Sequence, residues 1–190
     1  MQYLKEEIRE KILSSALTEF ERYGFSGAQM QRIALGAGIC TSNIYRYFAG
    51  KDKIFAEIVQ TVQLHVSTLI FERSKEAQYG GKDVKSTARY LAKEIVDVYI
   101  NYGRQLLVIT EKSHGSNCGN FKEKLLEMVC QRISSDICPE VDNTLTYSIS
   151  NGLVESVFII IRNHEEPKRM EELIRCMLVF YFDDLENRIS

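Results

Sequence analysis

The sequence has few of the patterns that mark membrane, disulfide-rich or β-sheet proteins. It contains only two prolines and no segment of alternating apolar and polar residues, which favours helices over strands. Its five cysteines include no Cys-x-x-Cys pair, so a disulfide framework is not expected. No apolar run approaches the roughly 20 residues that cross a bilayer, and the N-terminus lacks the apolar centre of a signal peptide. We therefore expect an all-α, cytoplasmic protein that does not contact a membrane.

Signatures of catalysis and metal binding are also missing. The chain has three histidines and contains no His-Glu-x-x-His, phosphate-loop or Gly-x-Ser-x-Gly motif. His65, His114 and Cys118 match no compact spacing of metal ligands. The sequence therefore predicts no enzyme, no cofactor and no metal.

The net charge of −2 gives only weak information about binding partners, because the N-terminal part and the remainder of the chain differ little in charge. The first 55 residues hold eight basic side chains against six acidic ones, and the remainder holds sixteen against twenty. A nucleic-acid partner has to be argued from the positions of residues and not from the total.

Apolar spacing divides the N-terminal part into four helices. A stripe that includes Ile12, Ala16 and Phe20 predicts a first helix that ends at Gly24. A short second helix follows before Gly36. A short third helix carries Ile44 and Phe48 and ends near residues 49–50, and a fourth runs from about residue 52 towards residue 78.

Four longer helices are predicted in the remainder of the chain, over residues 84–112, 121–137, 143–163 and 166–188. The last two carry apolar residues on more than one face, whereas a surface helix needs a stripe only about 100° wide. Burial against a second copy of the chain explains this coverage. The alternative is a helix hairpin that is fully internal to a monomer.

The second and third helices, separated by a tight glycine turn, have the arrangement of a helix-turn-helix unit. Gly38 lies in the turn, where a positive φ angle is expected. The third helix presents small polar residues and an arginine that suit the base edges of a DNA major groove, and neighbouring side chains suit phosphates. The candidate DNA-binding residues are Gln29, Thr41, Ser42, Asn43, Tyr45, Arg46, Tyr47 and Lys51.

The order of these features resembles the DNA-binding domain of the TetR family of transcriptional regulators. The residues that carry the resemblance are Ile12 with Ala16, Gly24-Phe25, Ile33-Ala34, Ala37-Gly38, Tyr45 with Phe48, and Lys51-Asp52. The resemblance covers about the first 55 residues. It implies a homodimer formed by the last two helices (about 143–188), a palindromic double-stranded DNA operator, and a small-molecule effector whose binding moves the fourth helix.

Two positions depart from the family pattern. Ala28 and Cys40 stand where the family usually has a Ser or Thr that caps the second or third helix. Gln29 or Ser26 is then expected to contact phosphate, and Thr41 is expected to take over the cap of the third helix. In that case Ser42, Asn43 and Arg46 contact the bases.

We predict a helix-turn-helix domain over residues 1–50 and a larger helical effector-binding and dimerisation domain over residues 51–190, with the fourth helix connecting them. Aromatic and polar residues of the central helices are candidates for the effector pocket: Phe71, Tyr90, Tyr99, Tyr102, Phe121, Met128, Tyr147 and Asn151. Two other classes remain open, a helical-bundle enzyme and a helix-turn-helix adaptor that binds another protein.

Overall fold

A computed structural model of the protein describes residues 2–73, 83–117, 120–136 and 141–184. These residues form helices joined by turns, and the predicted all-α fold is confirmed. The helices are α1 (Gln2–Gly27), α2 (Met30–Gly36), α3 (Thr41–Ile44), α4 (Lys51–Thr68), α5 (Val84–Glu111), α6 (Phe121–Asp136), α7 (Asn143–Asn163) and α8 (Pro167–Phe182). A π-helical turn, Leu69–Arg73, continues α4.

Most helix boundaries agree with the apolar pattern, and the N-terminal part shows two differences. Gly24 breaks the regular path of α1, with φ 66° and ψ 173°, but the chain makes a further helical turn to Gly27. The third helix ends at Ile44 and not near residue 49. Beyond it the bonds from Arg46 N–H to the Asn43 carbonyl and from Tyr47 N–H to the Ile44 carbonyl tighten the chain into successive turns.

The chain divides into two compact units. Unit 1 comprises Met1–Gln63 and Tyr102–Phe121, and unit 2 comprises Leu64–Asn101 and Lys122–Ser190. This division differs from the predicted boundary at residue 50, because the end of α5 and the segment after it belong to the compact unit that contains α1–α3. The assignment of residues 1–50 as the functional DNA-binding domain stays a prediction.

Aromatic side chains fill the centre of unit 1. Phe20 and Phe55 are fully buried and Phe25 is 3% exposed. Their ring centroids lie 5.0–5.9 Å apart. The Phe20–Phe25 contact is stacked and the other two are edge-to-face, and both arrangements stabilise the fold beyond burial alone. The aromatic cluster thereby fixes α1 and the first turns of α4 as the base on which α2 and α3 rest.

The segment from Tyr102 to Phe121 is tied to the C-terminal end of α1. The Phe25 N–H donates to the Lys112 carbonyl at 2.9 Å, and Ser26 Oγ donates to the His114 carbonyl at 2.6 Å. Arg104 forms a bidentate pair with Glu21, at 2.8 and 2.6 Å. The bond of Phe25 satisfies a backbone N–H next to the break at Gly24, and the two side-chain contacts add further links between the segments.

Unit 2 has an apolar core formed by its own helices. Buried residues of α5, α7 and α8 make the core: Ala88, Ala92, Val96, Leu153, Met170, Ile174 and Leu178. Small alanines on α5 allow the facing helices to approach closely. Val129 of α6 packs against the same core.

Two helices are apolar and long enough to meet the criteria for a membrane span, contrary to the sequence-based expectation. They are Lys51–Glu72 and Asn143–Asn163, whose apolar windows are 39% and 17% buried within the chain. The first is explained by the core of unit 1, in which Ile54, Phe55 and Val62 are fully buried. Most residues in the apolar window of the second helix, α7, are exposed or half-buried.

Candidate nucleic-acid interface

The turn between α2 and α3 ends α2 through a regular hydrogen-bonding motif. Gly38 has φ 71°, as the sequence predicted. Its N–H donates to the Leu35 carbonyl, and the Ile39 N–H donates to the Ala34 carbonyl, both at 3.0 Å. This pair of bonds is a Schellman motif, which requires a left-handed residue at the position of Gly38. The motif sets the direction in which α3 leaves the turn.

Cys40 is the N-cap of α3, and the prediction that Thr41 would take this role is wrong. Cys40 has extended backbone angles and Thr41 is the first helical residue. The Asn43 N–H donates to the Cys40 carbonyl at 2.9 Å, but the Cys40 side chain does not cap the helix. The Thr41 hydroxyl cannot cap α3, because Thr41 is already in the first turn. The N-cap is the residue with extended backbone angles that precedes the helix.

The Cys40 thiol is exposed beside Ser42. Its Sγ lies 3.2 Å from Ser42 Oγ. The hydrogen bond with Ser42 and then the backbone N–H of Asn43 lower the pKa of the thiol from its ordinary value. The start of α3 is therefore a polar, accessible surface.

The residues of α3 and the following turns separate into a buried side and an exposed side. Ile44 and Phe48 are 0% and 4% exposed, so they anchor the segment in unit 1. Ser42, Tyr45 and Arg46 are exposed. The remaining candidates of this segment, Thr41, Asn43 and Tyr47, are half-buried. The structure thus brings six of the predicted DNA-binding residues together on one short segment.

Arg9 supports this segment from α1, a role that the sequence did not reveal. Its guanidinium carbon lies 4.7 Å from the centre of the Phe48 ring. Arg9 Nε also donates to Glu57 Oε1 at 3.0 Å. A cation held over an aromatic face by a carboxylate fixes both side chains. Phe48 therefore keeps its place although the helix has already ended at Ile44.

Lys51 has a structural role that differs from the predicted phosphate contact. Its Nζ donates to the carbonyls of Phe25, Ser26 and Ala28, at 2.9, 3.1 and 3.3 Å. A lysine ammonium has three N–H donors, and these three acceptors match that number. The positive charge also suits the C-terminal end of α1, where the helix dipole is negative.

Gln29 is exposed, and its backbone is capped from α1. The Gln29 N–H donates to Glu19 Oε1 at 3.1 Å, and Arg32 Nε donates to the same oxygen at 2.6 Å. Glu19 is 8% exposed. The hydrogen bond with Glu19 raises the pKa of the Arg32 guanidinium further above its ordinary value. The N-cap of α2 is therefore Gln29 and not Ala28, its own side chain makes no capping bond, and Glu19 bonds its N–H from α1. Ser26 is bonded to the His114 carbonyl.

The predicted effector residues are divided between the two units. Tyr102 and Phe121 belong to unit 1, and Phe121 is 1% exposed. The other six belong to unit 2. Of these, Tyr147 and Asn151 are exposed on α7, while Phe71, Tyr90, Tyr99 and Met128 are half-buried. Their roles stay predictions.

A groove of about 230 Å³ in unit 2 includes none of these residues. Charged side chains of α5 and α8 line it: Arg89, Lys168, Glu171, Glu172 and Arg175. Within the part of the chain that the structure describes, no three His, Cys, Asp or Glu side chains come together as metal ligands.

Comparison with known proteins finds a family model that matches part of the chain. Residues 12–58 match the family model of bacterial regulatory proteins, tetR family. An uncharacterized HTH-type transcriptional regulator of Bacillus subtilis, YdgC, is 30% identical over 103 residues, which cover 54% of this chain and 52% of YdgC. The HTH-type transcriptional repressor NicS of Pseudomonas putida is 25% identical over 107 residues, which cover 56% and 49%. The chain thus spans about half the length of these curated relatives.

A solved structure has the same fold along nearly the whole chain. The TetR-like transcriptional regulator of Rhodococcus sp. RHA1 superposes with a TM-score of 0.68, covering 94% of this chain and 96% of that one. Its sequence identity of 16% supports a shared fold only. Residues 12–58 are thus similar to the tetR family of bacterial regulatory proteins, and the curated relatives that share the match are named HTH-type transcriptional regulators or repressors.

Proposed function

We propose that the protein is a homodimeric repressor that binds a palindromic DNA operator and leaves it when a small effector binds. The observation that carries the proposal is the α2–Gly38–α3 turn, whose geometry presents Ser42, Tyr45 and Arg46 to solvent over a buried anchor. This is the arrangement by which helix-turn-helix proteins contact a major groove. A cytoplasmic location follows from this function.

The exposed side of α3 suggests which residues contact bases and which contact phosphates. We assign base contacts to Ser42, Asn43 and Arg46, because amide and guanidinium groups can form bidentate hydrogen bonds with purine edges. Because the backbone of Cys40 caps α3, the hydroxyl of Thr41 is added to this set. We assign phosphate contacts to Gln29, Tyr45 and Tyr47. Lys51 is left out, since its ammonium bonds three carbonyls.

Dimerisation through α7 and α8 is supported by apolar surface that the chain itself does not cover. The apolar window of α7 is only 17% buried. Four large side chains on these helices are exposed: Leu145, Tyr147, Ile159 and Phe180. Exposed apolar side chains in this number on two neighbouring helices are typical of a protein interface. A second copy of the chain can bury the exposed apolar side chains of both helices, since a two-fold axis pairs the same surface on each protomer.

The response to an effector is supported by the path of the helices. Both α4 and α5 contribute residues to unit 1 and to unit 2. Within unit 1, the end of α5 is bonded to α1 through Arg104 and Lys112. A displacement of either helix in unit 2 is therefore carried to the unit that holds α3. Because half-sites on DNA are about 34–36 Å apart, a small change in the separation of the two α3 helices weakens simultaneous docking.

Two substitutions test the division between base and phosphate contacts. Tyr47→Phe removes one hydroxyl and is expected to weaken binding to operator and unrelated DNA by the same factor. Asn43→Ala is expected to lower affinity for the operator while leaving affinity for unrelated DNA unchanged. Fluorescence anisotropy with single-base operator variants measures both. If the two variants lose affinity in the same pattern, the division is wrong.

A further inference from the structure

The α1–α2 corner of unit 1 (residues 19–32) holds an arginine whose charge is not compensated. Two carboxylates of α1 lie in this stretch, and both are engaged elsewhere. Glu19 accepts from Arg32 Nε at 2.6 Å, and Glu21 forms a bidentate pair with an arginine of α5 at 2.8 and 2.6 Å. The side chain of Arg22 is exposed and, among the described residues, forms no hydrogen bond or ion pair.

Two lysines add positive charge to the same corner. The ammonium of Lys51 bonds three carbonyls at the end of α1, and Lys112 Nζ donates to the Glu21 carbonyl at 2.6 Å. No described carboxylate forms an ion pair with either lysine. A carbonyl satisfies a donor but leaves the charge in place. The corner therefore attracts anions, and Arg22 is its exposed cation with free donors.

The ring of Tyr23 supports Arg22. The guanidinium carbons of Arg22 and Arg32 lie 5.4 and 4.2 Å from the centre of this ring, which is 43% exposed. Arg32 is itself fixed, because it bonds Glu19 and donates to the Gly27 carbonyl at 2.7 Å. A cation next to an aromatic ring is attracted to the ring face. The Arg22 guanidinium is therefore held on a fixed support while it faces solvent.

A continuous set of contacts places this support beside the start of α2. Glu19 Oε1, which binds Arg32, also accepts from the Gln29 N–H at 3.1 Å. Gln29 is the N-cap of α2. In helix-turn-helix proteins the first helix of the pair crosses the DNA backbone, and helix N-termini donate to phosphates. Arg22 thus lies, through Tyr23, next to the end of α2 that meets the backbone in such complexes.

We propose that Arg22 contacts a phosphate of the operator backbone and that Tyr23 positions its guanidinium for this contact. The planar fork of arginine matches two oxygens of a phosphate. Phosphates are present at every base pair, so the contact adds affinity without adding sequence preference. The inference rests on the proposed binding of DNA and extends the interface from α3 to the end of α1.

Arg22→Gln tests the phosphate contact through the salt dependence of DNA binding. Affinity for the promoter fragment and for a scrambled fragment is measured by fluorescence anisotropy between 50 and 200 mM salt. Each protomer that loses one phosphate contact should reduce the slope of log affinity against log salt by about 0.9, which is about 10-fold in affinity at 100 mM salt. Both fragments should lose the same factor. The unfolding midpoint should not change, since Arg22 has no bond within the described chain.

Arg89→Gln is the matched control. Arg89 lies on α5 in unit 2, is exposed, and forms no hydrogen bond or ion pair with any residue that the structure describes. The substitution removes the same charge from the chain. It should leave both affinity and salt slope at their wild-type values.

A double-mutant cycle tests the positioning role of Tyr23. Tyr23→Leu should lower DNA affinity about 2–5-fold in the chain that has Arg22, and should have no further effect in the Arg22→Gln chain. Tyr23→Phe keeps the ring and should bind DNA like wild type. A purely structural role of Tyr23 would instead lower affinity equally in both backgrounds, and that result would contradict the positioning role.

The outcomes separate this inference from the proposed function. Steep salt dependence in wild type with an unchanged slope in Arg22→Gln overturns the phosphate contact and leaves the DNA-binding function intact. A loss in Arg22→Gln that is confined to the promoter fragment also overturns it, because a phosphate contact acts on both fragments. A wild-type chain that binds neither fragment contradicts both the inference and the proposed function.

Discussion

At the scale of single residues, unit 1 replaces ordinary helix caps with side chains from distant positions. The carboxylate of Glu19 on α1 accepts from the Gln29 N–H at the start of α2. The ammonium of Lys51 on α4 bonds the last carbonyls of α1. Each contact joins two helices and satisfies a helix end at the same time, so the position of α3 depends on both.

Glu19→Ala is expected to destabilise unit 1. The substitution leaves the Gln29 N–H and the Arg32 guanidinium without their shared acceptor. Loss of hydrogen bonds to a buried carboxylate costs about 1–3 kcal/mol. Chemical denaturation of wild type and variant measures the difference. Glu7→Ala is the control, because Glu7 lies in an exposed pair with Lys11, and no measurable change is expected there. Equal effects of the two substitutions would contradict the capping role of Glu19.

These residue roles were not accessible from the sequence. Glu19 and Gln29 are ten positions apart, and Lys51 is more than twenty positions from the carbonyls that it bonds. No local pattern connects such positions, because the contacts exist only after α1, α2 and α4 have packed. Gly38, in contrast, was predicted correctly, since a tight turn between two helices requires a left-handed residue. Local rules therefore located the turn but not the side chains that hold it.

At the scale of elements, apolar periodicity predicted the long helices well. The bounds of α7 agree with the sequence, and α5 ends one residue before the predicted position. The predicted ends of the fourth helix and of α6 lie outside the described residues. The last helix, α8, ends at Phe182 with Asp183 as its C-cap, before the predicted end at residue 188. The early end of α3 was missed because Phe48 has helical spacing from Ile44 while the intervening chain forms tighter turns.

Asp142 is expected to make the stability of α7 depend on pH. It caps the helix by accepting from the Thr144 and Leu145 N–H groups, at 2.8 and 3.3 Å. The bond from Thr144 is the main cause that lowers the pKa of Asp142 in the folded chain. The stabilisation is therefore complete above the unfolded pKa of about 3.9 and is lost as pH falls through the lower folded value.

Asp142→Ala and Asp142→Asn measure this contribution in thermal melts followed by circular dichroism. Asp142→Ala should melt below wild type at pH 7, and the difference should shrink as pH falls below about 4. Asp142→Asn retains an acceptor without a titratable charge, so it should melt close to wild type at pH 7. A difference between wild type and Asp142→Ala that grows on acidification would contradict the assignment.

At the scale of the whole molecule, the proposed dimer depends on the exposed apolar surface of α7 and α8. Ile159 on α7 is 55% exposed. Ile159→Glu should yield a monomer in sedimentation velocity experiments, because a carboxylate buried in an apolar interface is unpaired. Leu64→Glu on α4, where the leucine is 63% exposed, is the matched control and should remain dimeric. A monomeric wild type, or a dimeric Ile159→Glu variant, would contradict the interface.

The sequence indicated apolar coverage on more than one face of the last two helices, and large apolar side chains of both are exposed on the single chain. Their burial in a dimer stays a prediction. The sequence did not predict that the polar residues Arg132 and Thr146 are buried. Most of the predicted effector residues are aromatic, and two of the predicted set, Tyr147 and Asn151, are exposed on the single chain.

Sequence-specific binding of DNA is the central claim, and titration with DNA from the protein's own promoter region tests it most directly. Affinity is measured by fluorescence anisotropy against that fragment and a scrambled fragment of equal length, over salt concentrations from 50 to 200 mM. The account predicts a preference of at least about 10³-fold for the promoter fragment and a steep loss of affinity with salt. Equal affinity for the two fragments, or binding that does not respond to salt, would contradict it.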